Sequence, residues 1–400
     1  MTTKRLTDAE HTLSADNGLP LASCQVEYPS ASPFNCDNSL ILVLEFSYFA
    51  LYEVATLRRI GPLLHVNASS EPRWDLTDPN RFFYHAGNSL MEYFVATKLS
   101  RTVHVFNQYE SISAKGESEL GEDGESLVLA GSNHLQPLEL FVFNIDSLAV
   151  SQKLLLPSLD SAFLTPDRRV IVGKDDGIFL YDSDMQLLRQ LTKANGHRRC
   201  ARDQTGKPFL IWDNSNEPPP RSFDQHAIVK IDLETGEQTR LMDLGWEWAT
   251  HITAPMGDFG WCIVTTYDNG LRGDLWRVWL DGRPAEHLLI HQSDSSSYEG
   301  QPRATVSRDG RWLAYNSNVA GRTDVYLVEL ENMQSVQNYD FSAGTLALTW
   351  KRFPNQQSIN IDGFPAQPGE AGFVYDGGND VKLIYNDSVH KWFIPMKLIQ

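Results

Sequence analysis

Cysteine is scarce in this sequence of 400 residues. The four cysteines are Cys24, Cys36, Cys200 and Cys262. None belongs to a CxxC pair, and the spacings match neither a zinc cluster nor the disulfide framework of a small secreted domain. We therefore expect reduced thiols with a structural role.

Long hydrophobic runs are also absent. No apolar stretch reaches the roughly 18 residues that a membrane-spanning helix needs. The most apolar stretch, residues 40–52, contains Glu45 and is typical of a buried strand. Residues 1–10 are polar and lack the apolar core of a signal peptide. The sequence therefore predicts a cytoplasmic protein, unless a leader has been removed.

Positive charge is in deficit. The chain has 34 lysines and arginines against 51 aspartates and glutamates, a formal net charge of −17. Nucleic acids and anionic membranes bind basic surfaces, so neither is expected as a partner. A local group of arginines can still bind a small carboxylate within an acidic protein.

Motifs of several enzyme classes are missing. The sequence contains no GxSxG elbow, no phosphate-binding GxxxxGK[ST] loop, no HExxH helix and no GxGxxG turn. These absences argue against serine hydrolases, nucleotide-binding folds and zinc peptidases of the usual kinds.

A degenerate repeat is present instead. Its clearest copy covers residues 301–330, where apolar and polar residues alternate on both sides of Asp309-Gly310. A period of two around an Asp-Gly pair predicts two strands joined by a tight hairpin turn. A loop and a third strand, Thr-Asp-Val-Tyr-Leu-Val-Glu-Leu from Thr323, follow.

Similar turns occur seven times, at intervals of 36 to 55 residues. The turn aspartates are Asp37, Asp78, Asp123, Asp167, Asp203, Asp258 and Asp309. Units of about 45 residues with four short strands are typical of propeller blades. The sequence therefore predicts an all-β fold: one seven-bladed β-propeller of four-stranded antiparallel blades over residues 1–400. Residues 335–400 exceed the last blade, and we expect them to close the ring or to form a small appended β element.

The unit that begins at Gln301 resembles the repeats of TolB-type propellers. Other segments resemble the oligogalacturonate lyases and the ulvan-lyase propellers. These segments are Lys4-Arg-Leu-Thr, Arg81-Phe-Phe-Tyr-His-Ala-Gly-Asn-Ser-Leu, Val95-Ala-Thr, Gly196-His197 and Thr250-His251. The resemblance implies a cytoplasmic propeller that cleaves uronic-acid chains by β-elimination.

The same resemblance implies a metal site, because oligogalacturonate lyases hold a divalent ion with histidines and a glutamine. Carried over to this chain, the ligands are His197, His251 and Gln301, and the ion is manganese or calcium. The sequence departs from the family pattern after Gln301, where it reads Gln-Pro-Arg-Ala-Thr without a nearby histidine pair.

The mouth of the propeller channel is the expected binding site, because the first strand of each blade lines the channel. Six to eight residues before each turn aspartate stand Ser30, Glu71, Glu117, Asp160, His197, His251 and Gln301. Converging oxygen and nitrogen donors suit a divalent cation or acid–base chemistry. Polar residues are also ordinary at the wet mouth of a channel.

Further candidates surround this ring. Arg199, Arg202 and Arg303 are expected to neutralise a substrate carboxylate, because guanidinium groups bind carboxylates in a bidentate way. His197, His251 or Tyr298 would exchange protons with the substrate. Trp246 and Trp248 precede His251 and offer indole faces for a sugar ring.

The sequence thus favours an enzyme, a lyase that cleaves uronate-containing oligosaccharides or polysaccharides by β-elimination. Two alternatives stay open. One is a non-catalytic, TolB-like binding propeller. The other is a propeller glycosidase that uses paired carboxylates from Glu71, Glu117 and Asp160.

Overall fold

We describe the fold from a computed structural model. The structure describes residues 3–14, 17–115, 118–134, 137–218, 222–223, 226–245, 250–267, 273–289, 292–293 and 298–330, and the backbone of two later strands. Among the predicted residues, Glu117, Trp246, Trp248 and most of residues 335–400 lie outside these ranges.

Seven four-stranded antiparallel sheets account for the strands of residues 3–330, as the sequence predicts. The first blade contains Cys24–Gln25, Leu40–Glu45, Tyr48–Glu53 and Arg58–Ile60. The second contains Arg73–Trp74, Arg81–Ala86, Ser89–Phe94 and Leu99–Val105. The third contains Ser111–Ser113, Ser126–Ser132, Leu138–Asn144 and Leu154–Leu156. The fourth contains Ser161–Leu164, Val170–Lys174, Gly177–Tyr181 and Leu187–Thr192.

The remaining blades follow the same order from inner to outer strand. The fifth contains Arg198–Arg202, Pro208–Asp213, His226–Asp232 and Gln238–Gly245. The sixth contains Thr250–Thr253, Trp261–Thr266, Leu275–Trp279 and Glu286–Leu289. The seventh contains Thr305–Val306, Trp312–Ser317 and Asp324–Glu329, with Thr3–Arg5 as its outer strand. Two short 3-10 helices, Ala68–Ser70 and Asn214–Asn216, lie in loops, and no helix in the described ranges is long and apolar enough to span a membrane.

Each of the seven turn aspartates lies between the first and second strands of its blade. Asp123 shows why this residue type recurs: its carboxylate accepts hydrogen bonds from the backbone N–H groups of Glu125 and Ser126 and from the Ser126 hydroxyl. Short polar side chains that bond to the backbone two or three residues ahead stabilise tight turns. Asp37, Asp78, Asp203 and Asp309 also accept from the backbone N–H two residues ahead, so the local sequence sets the start of the second strand in these five blades.

The hydrophobic core lies between blades. Each of six apolar clusters draws its residues from two consecutive blades. Central strands such as Gly177–Tyr181 and Trp261–Thr266 are buried throughout, whereas the outer strand Arg58–Ile60 is exposed throughout. A single blade leaves both faces of its sheet exposed, so the stacking of neighbours supplies the burial that stabilises the fold.

The ring is closed by the beginning of the chain. Thr3–Arg5 pairs antiparallel with Asp324–Glu329 and completes the seventh blade. Inter-residue contacts divide the chain into two compact units, Met1–Asn332 and Met333–Gln400. In the second unit, the strands Ile384–Asn386 and Lys391–Phe393 form an antiparallel pair.

The four cysteines are free thiols, and Cys24, Cys200 and Cys262 are buried. Burial raises the pKa of each of these three thiols to about 12. They therefore behave as small apolar side chains of the core rather than as nucleophiles.

Candidate functional site

Three ring residues predicted from the sequence lie together at one end of the channel. The His197 and His251 rings are 4.6 Å apart between centroids, and Nε2 of His251 is 3.0 Å from Oε1 of Gln301. These residues come from the fifth, sixth and seventh blades, at or just before the first strand. The turn aspartates follow at the other end of the same strands, so the three side chains share one mouth of the channel.

Two tyrosines that the sequence reading missed complete this group. Tyr267 stacks on His251 with ring centroids 4.7 Å apart, and Tyr28 meets His251 edge-on at 5.6 Å. We call His197, His251, Gln301, Tyr28 and Tyr267 the histidine cluster. Its members come from four blades, because Tyr28 follows the first strand of blade one.

The local sequence explains how His197 is placed. Gly196 precedes it, and a Cβ atom at Gly196 would stand 2.6 Å from the backbone oxygen of Asp213. Only glycine permits so close an approach of two backbones. Arg198 follows, fully buried, and donates hydrogen bonds to Oδ1 of Asn195 and the carbonyl of Gly196. The histidine is therefore held on a tightly packed turn.

Burial sets the protonation of the imidazoles. It lowers the pKa of His197 to about 4, with the charge of Arg198 acting in the same direction. It also lowers the pKa of His251 far below its usual value, assisted by His197 and Arg303 and opposed by the hydrogen bond to Gln301. Both imidazoles are consequently neutral at pH 7, the form that accepts a proton or binds a metal.

Arg303 is the charged member of this region. Its residue surface is 6% exposed, and its guanidinium lies 4.6 Å from the centre of the Tyr298 ring. It donates a hydrogen bond to Oε1 of Gln25, and its Nε atom has no hydrogen-bond partner among the described residues. In the same ranges no carboxylate pairs with Arg303. A buried guanidinium without a counter-ion is a ready binding group for an anion.

Arg199 and Arg202 lie elsewhere. Arg199 places Nη2 2.8 Å from Oε2 of Glu119, deeper in the channel. Arg202 pairs with Glu122 and, at 3.1 Å, with Asp258 near the opposite mouth. Their expected role at a substrate carboxylate therefore competes with these ion pairs, and it remains a prediction.

Two of the other ring positions, Glu71 and Asp160, contact neighbouring groups. Glu71 accepts hydrogen bonds from His85 at 2.7 Å and from the backbone N–H of Ala114. Asp160 pairs with Arg198 at 3.4 Å. Ser30 is buried, and its hydroxyl lies without a partner in the described part of the chain.

In the first blade, counting back from the turn aspartate does not identify the residue at the mouth of the channel. There the first strand is Cys24–Gln25, separated from Asp37 by a longer connection than in other blades. Seven residues before Asp37 stands Ser30. The residues of this blade that contact the site are Gln25, which accepts a hydrogen bond from Arg303, and Tyr28, which packs against His251. Tyr267 follows a second strand, and no spacing in the sequence marks it.

The connections between the second and third strands are longest in the three blades that supply His197, His251 and Gln301. The second and third strands are joined by two residues in the first, second and fourth blades. The corresponding connections span residues 214–225, 267–274 and 318–323 in blades five, six and seven. Loops placed on a rigid scaffold commonly carry binding residues, so this side of the mouth is the best placed for a ligand.

The metal implied by the resemblance can be tested against these donors. His197, His251 and Gln301 supply two neutral imidazoles and one amide oxygen, and the last two converge to 3.0 Å. The described residues contain no group of three or more histidine, cysteine, aspartate or glutamate side chains that could hold a metal. His197, His251 and Gln301 thus offer three neutral ligands to a divalent ion, and water or a substrate oxygen would complete its coordination.

No protein-family model and no curated protein matches this sequence. Solved structures do match. An oligogalacturonate lyase from Vibrio parahaemolyticus covers 82% of this chain and 93% of its own, with a TM-score of 0.57 and 14% identity. An oligogalacturonate lyase in complex with manganese covers 82% and 92%, with a TM-score of 0.59 and 15% identity. TolB from Acinetobacter baumannii covers 66% and 62%, with a TM-score of 0.40 and 16% identity.

Identities this low establish the likeness of the fold and not of the chemistry. The resemblance to the oligogalacturonate lyase propellers that the sequence predicts is confirmed at that level. The chain is a seven-bladed β-propeller with the overall fold of those lyases.

Proposed function

We propose that this protein is a lyase that cleaves uronate-containing oligosaccharides by β-elimination at the histidine cluster. The observation that carries the proposal is the pairing of two buried, neutral imidazoles with a buried guanidinium that has no described carboxylate partner. The fold shared with oligogalacturonate lyases supports the same reading.

β-Elimination breaks the C5–H bond beside the carboxylate and the C4–O bond of the glycosidic link. The C5–H electron pair forms the C4=C5 double bond, and the leaving oxygen takes up a proton. The intermediate gathers negative charge next to the carboxylate, so a cation there stabilises the transition state more than the ground state. In this proposal Arg303 would be that cation.

The imidazoles would move the proton. A neutral imidazole accepts it from C5, and the lowered pKa of His197 and His251 makes the resulting imidazolium a stronger acid than an ordinary one, while it makes the neutral ring a weaker base. The proton is then passed readily to the leaving oxygen. Tyr298, which is 57% exposed beside Arg303, is a second candidate for that last transfer.

A divalent ion held by His197, His251 and Gln301 would supply a Lewis acid to the same carboxylate. In that case the two histidines are ligands, and Tyr298 or another group exchanges the protons. Chelation separates the two versions, because the arginine version needs no ion.

The glycosidase alternative is weakened by the contacts of the mouth carboxylates. Glu71 and Asp160 are both committed to neighbouring groups in this structure. The binding-module alternative uses the same cation and rings without a reaction, and only product formation distinguishes it.

The test is a screen of uronate oligosaccharides and polysaccharides for the ultraviolet absorbance of the unsaturated product, with and without chelator. We expect His251→Ala and Arg303→Met each to reduce turnover at least about a hundredfold, as loss of a proton-transfer or charge-stabilising group does. His134→Ala, on a 92% exposed side chain, is the matched control. Near-parental turnover in both site variants would remove the cluster from the chemistry, and a parent that binds uronates without absorbance change would favour the binding module.

A further inference from the structure

Asp213 links the two segments that carry the histidines. It ends the second strand of blade five and is 1% exposed. Its backbone N–H donates to the carbonyl oxygen of His197 at 2.9 Å. Its Oδ2 accepts a hydrogen bond of 2.7 Å from the hydroxyl of Thr250, the residue directly before His251. One residue therefore joins the fifth and sixth blades at the cluster.

The environment makes a carboxylate costly at this position. The interface between these blades contains a cluster of buried apolar side chains, Ile211, Ile252 and Val264 among them. Among the described residues no basic side chain pairs with Asp213, and burial raises its pKa. The contacts of Asp213 hold the His197 segment and the Thr250 segment at a fixed separation.

Asn316 plays a comparable part at the seventh blade. It is fully buried near the end of the second strand. Its Nδ2 donates to the carbonyl oxygen of Gln301 at 3.3 Å, and its Oδ1 accepts from the backbone N–H of Val26, in blade one, at 2.9 Å. It thus ties the Gln301 segment to the blade that supplies Tyr28.

From these contacts we infer that Asp213 and Asn316 are positioning residues: Asp213 fixes His197 relative to His251 across the boundary of blades five and six, and Asn316 fixes Gln301 relative to the blade-one segment that carries Tyr28. Their effect on turnover rests on the proposed function. Their effect on the exposure of the cluster does not, and the two are measured separately.

The first experiment compares conservative and disruptive changes at one bond. Thr250→Val removes the hydroxyl that Asp213 accepts from, whereas Thr250→Ser retains it. Asp213→Ala removes both side-chain contacts, whereas Asp213→Asn keeps an oxygen for Ser215 N–H and an amide that can donate to Thr250. We expect Thr250→Val and Asp213→Ala to lower kcat at least about tenfold with little change in KM, and the Ser and Asn variants to stay close to the parent.

The second experiment needs no substrate. Reaction of histidines with diethylpyrocarbonate, mapped by mass spectrometry, measures the exposure of His251, with exposed His134 as the internal reference. Thr250→Val and Asp213→Ala should raise the rate at His251 several-fold. Asp324→Ala, which weakens the closure of the ring within blade seven, is the control for general destabilisation and should leave that rate unchanged.

A separate variant tests the second positioning residue. Asn316→Asp replaces the amide group that donates to Gln301 by an oxygen, at constant size, and should lower kcat without altering the reactivity of His251. The inference is overturned if the valine and alanine variants react like the parent, or if Asp324→Ala exposes His251 equally. A parent without lyase activity, but with the expected reactivity pattern, would refute the proposed function and leave the positioning role intact.

Discussion

At the scale of single residues, burial determines the chemistry of the histidine cluster. His251 is 3% exposed, and in the described part of the chain its one hydrogen bond is donated by Nε2 to Oε1 of Gln301. An imidazolium in this place would lose its hydration, stand beside a second imidazole and face the charge of Arg303. Its neutral form is therefore strongly favoured.

This preference predicts how stability depends on pH. The pKa of an unfolded histidine is about 6.5, whereas the pKa of His197 in the folded protein is about 4. Between these values the unfolded chain binds more protons, so the free energy of unfolding should fall by roughly 1 to 3 kcal/mol as the pH decreases through this window. The loss begins below about pH 6.5 and is complete near the folded pKa.

The measurement is the thermal midpoint between pH 7 and pH 4 in the presence of chelator. His197→Gln and His251→Gln should each flatten the curve in part, because each lacks one of the two imidazoles whose protonation opposes folding. His134→Gln should follow the parent, since that side chain is 92% exposed. An equal slope in all four proteins would assign the acid sensitivity to other groups.

At the scale of elements, the outer strand of the seventh blade depends on one buried carboxylate. Asp324 accepts hydrogen bonds from Arg5 at 2.6 Å, from the Thr7 hydroxyl at 2.7 Å and from the Ala9 N–H at 2.8 Å. Its side chain is fully buried. These contacts fasten the beginning of the chain to the last blade, where the three paired residues of Thr3–Arg5 would hold only weakly by themselves.

Asp324→Ala should therefore destabilise the protein by about 3 kcal/mol or more, because it leaves buried donors unpaired. Its thermal midpoint, compared with that of Asp8→Ala, is the measurement. Asp8 also contacts Arg5 but is 45% exposed, so its removal should lower the thermal midpoint much less. Equal shifts for the two variants would mean that the closing strand contributes little.

At the scale of the whole molecule, a carboxylate within the channel connects blades that are not neighbours. Glu119, from blade three, accepts from Arg199 of blade five at 2.8 Å and from Arg308 of blade seven at 2.8 and 3.0 Å. It also accepts from the backbone N–H of Ser32, in blade one, at 3.3 Å. The ring is thus joined across its centre as well as around its circumference.

Glu119→Ala should lower the free energy of unfolding by about 3 to 5 kcal/mol, because two largely buried guanidinium groups lose their counter-ion. Thermal unfolding monitored by tryptophan fluorescence measures the effect. Glu122→Ala is the matched control: this neighbour pairs with Arg202 and is 23% exposed, so we expect a smaller loss. A parental midpoint for Glu119→Ala would show that the cross-channel pairs are not needed for stability.

The repeat of seven blades could be predicted from the sequence alone. Asp-initiated turns and strands of period two are local signals, and they place all seven hairpins and the third strands of the blades because a blade is built from neighbours in the chain. The proximity of His197, His251 and Gln301 also follows from the repeat. They stand at similar distances before their turn aspartates, and equivalent positions of consecutive blades lie side by side in a ring.

Which arginines lack an acid partner, and so could bind a substrate carboxylate, depends on the tertiary structure. Nothing in the sequence distinguishes Arg199 and Arg202 from Arg303. In the structure Arg199 pairs with Glu119, and Arg202 pairs with Glu122 and Asp258. Arg303 has no acid partner among the described residues. Asp213 and Tyr28 likewise show no periodicity that marks them. Their contacts join residues from different blades, and the pairing of such distant side chains depends on packing between sheets, which no local pattern in the chain encodes.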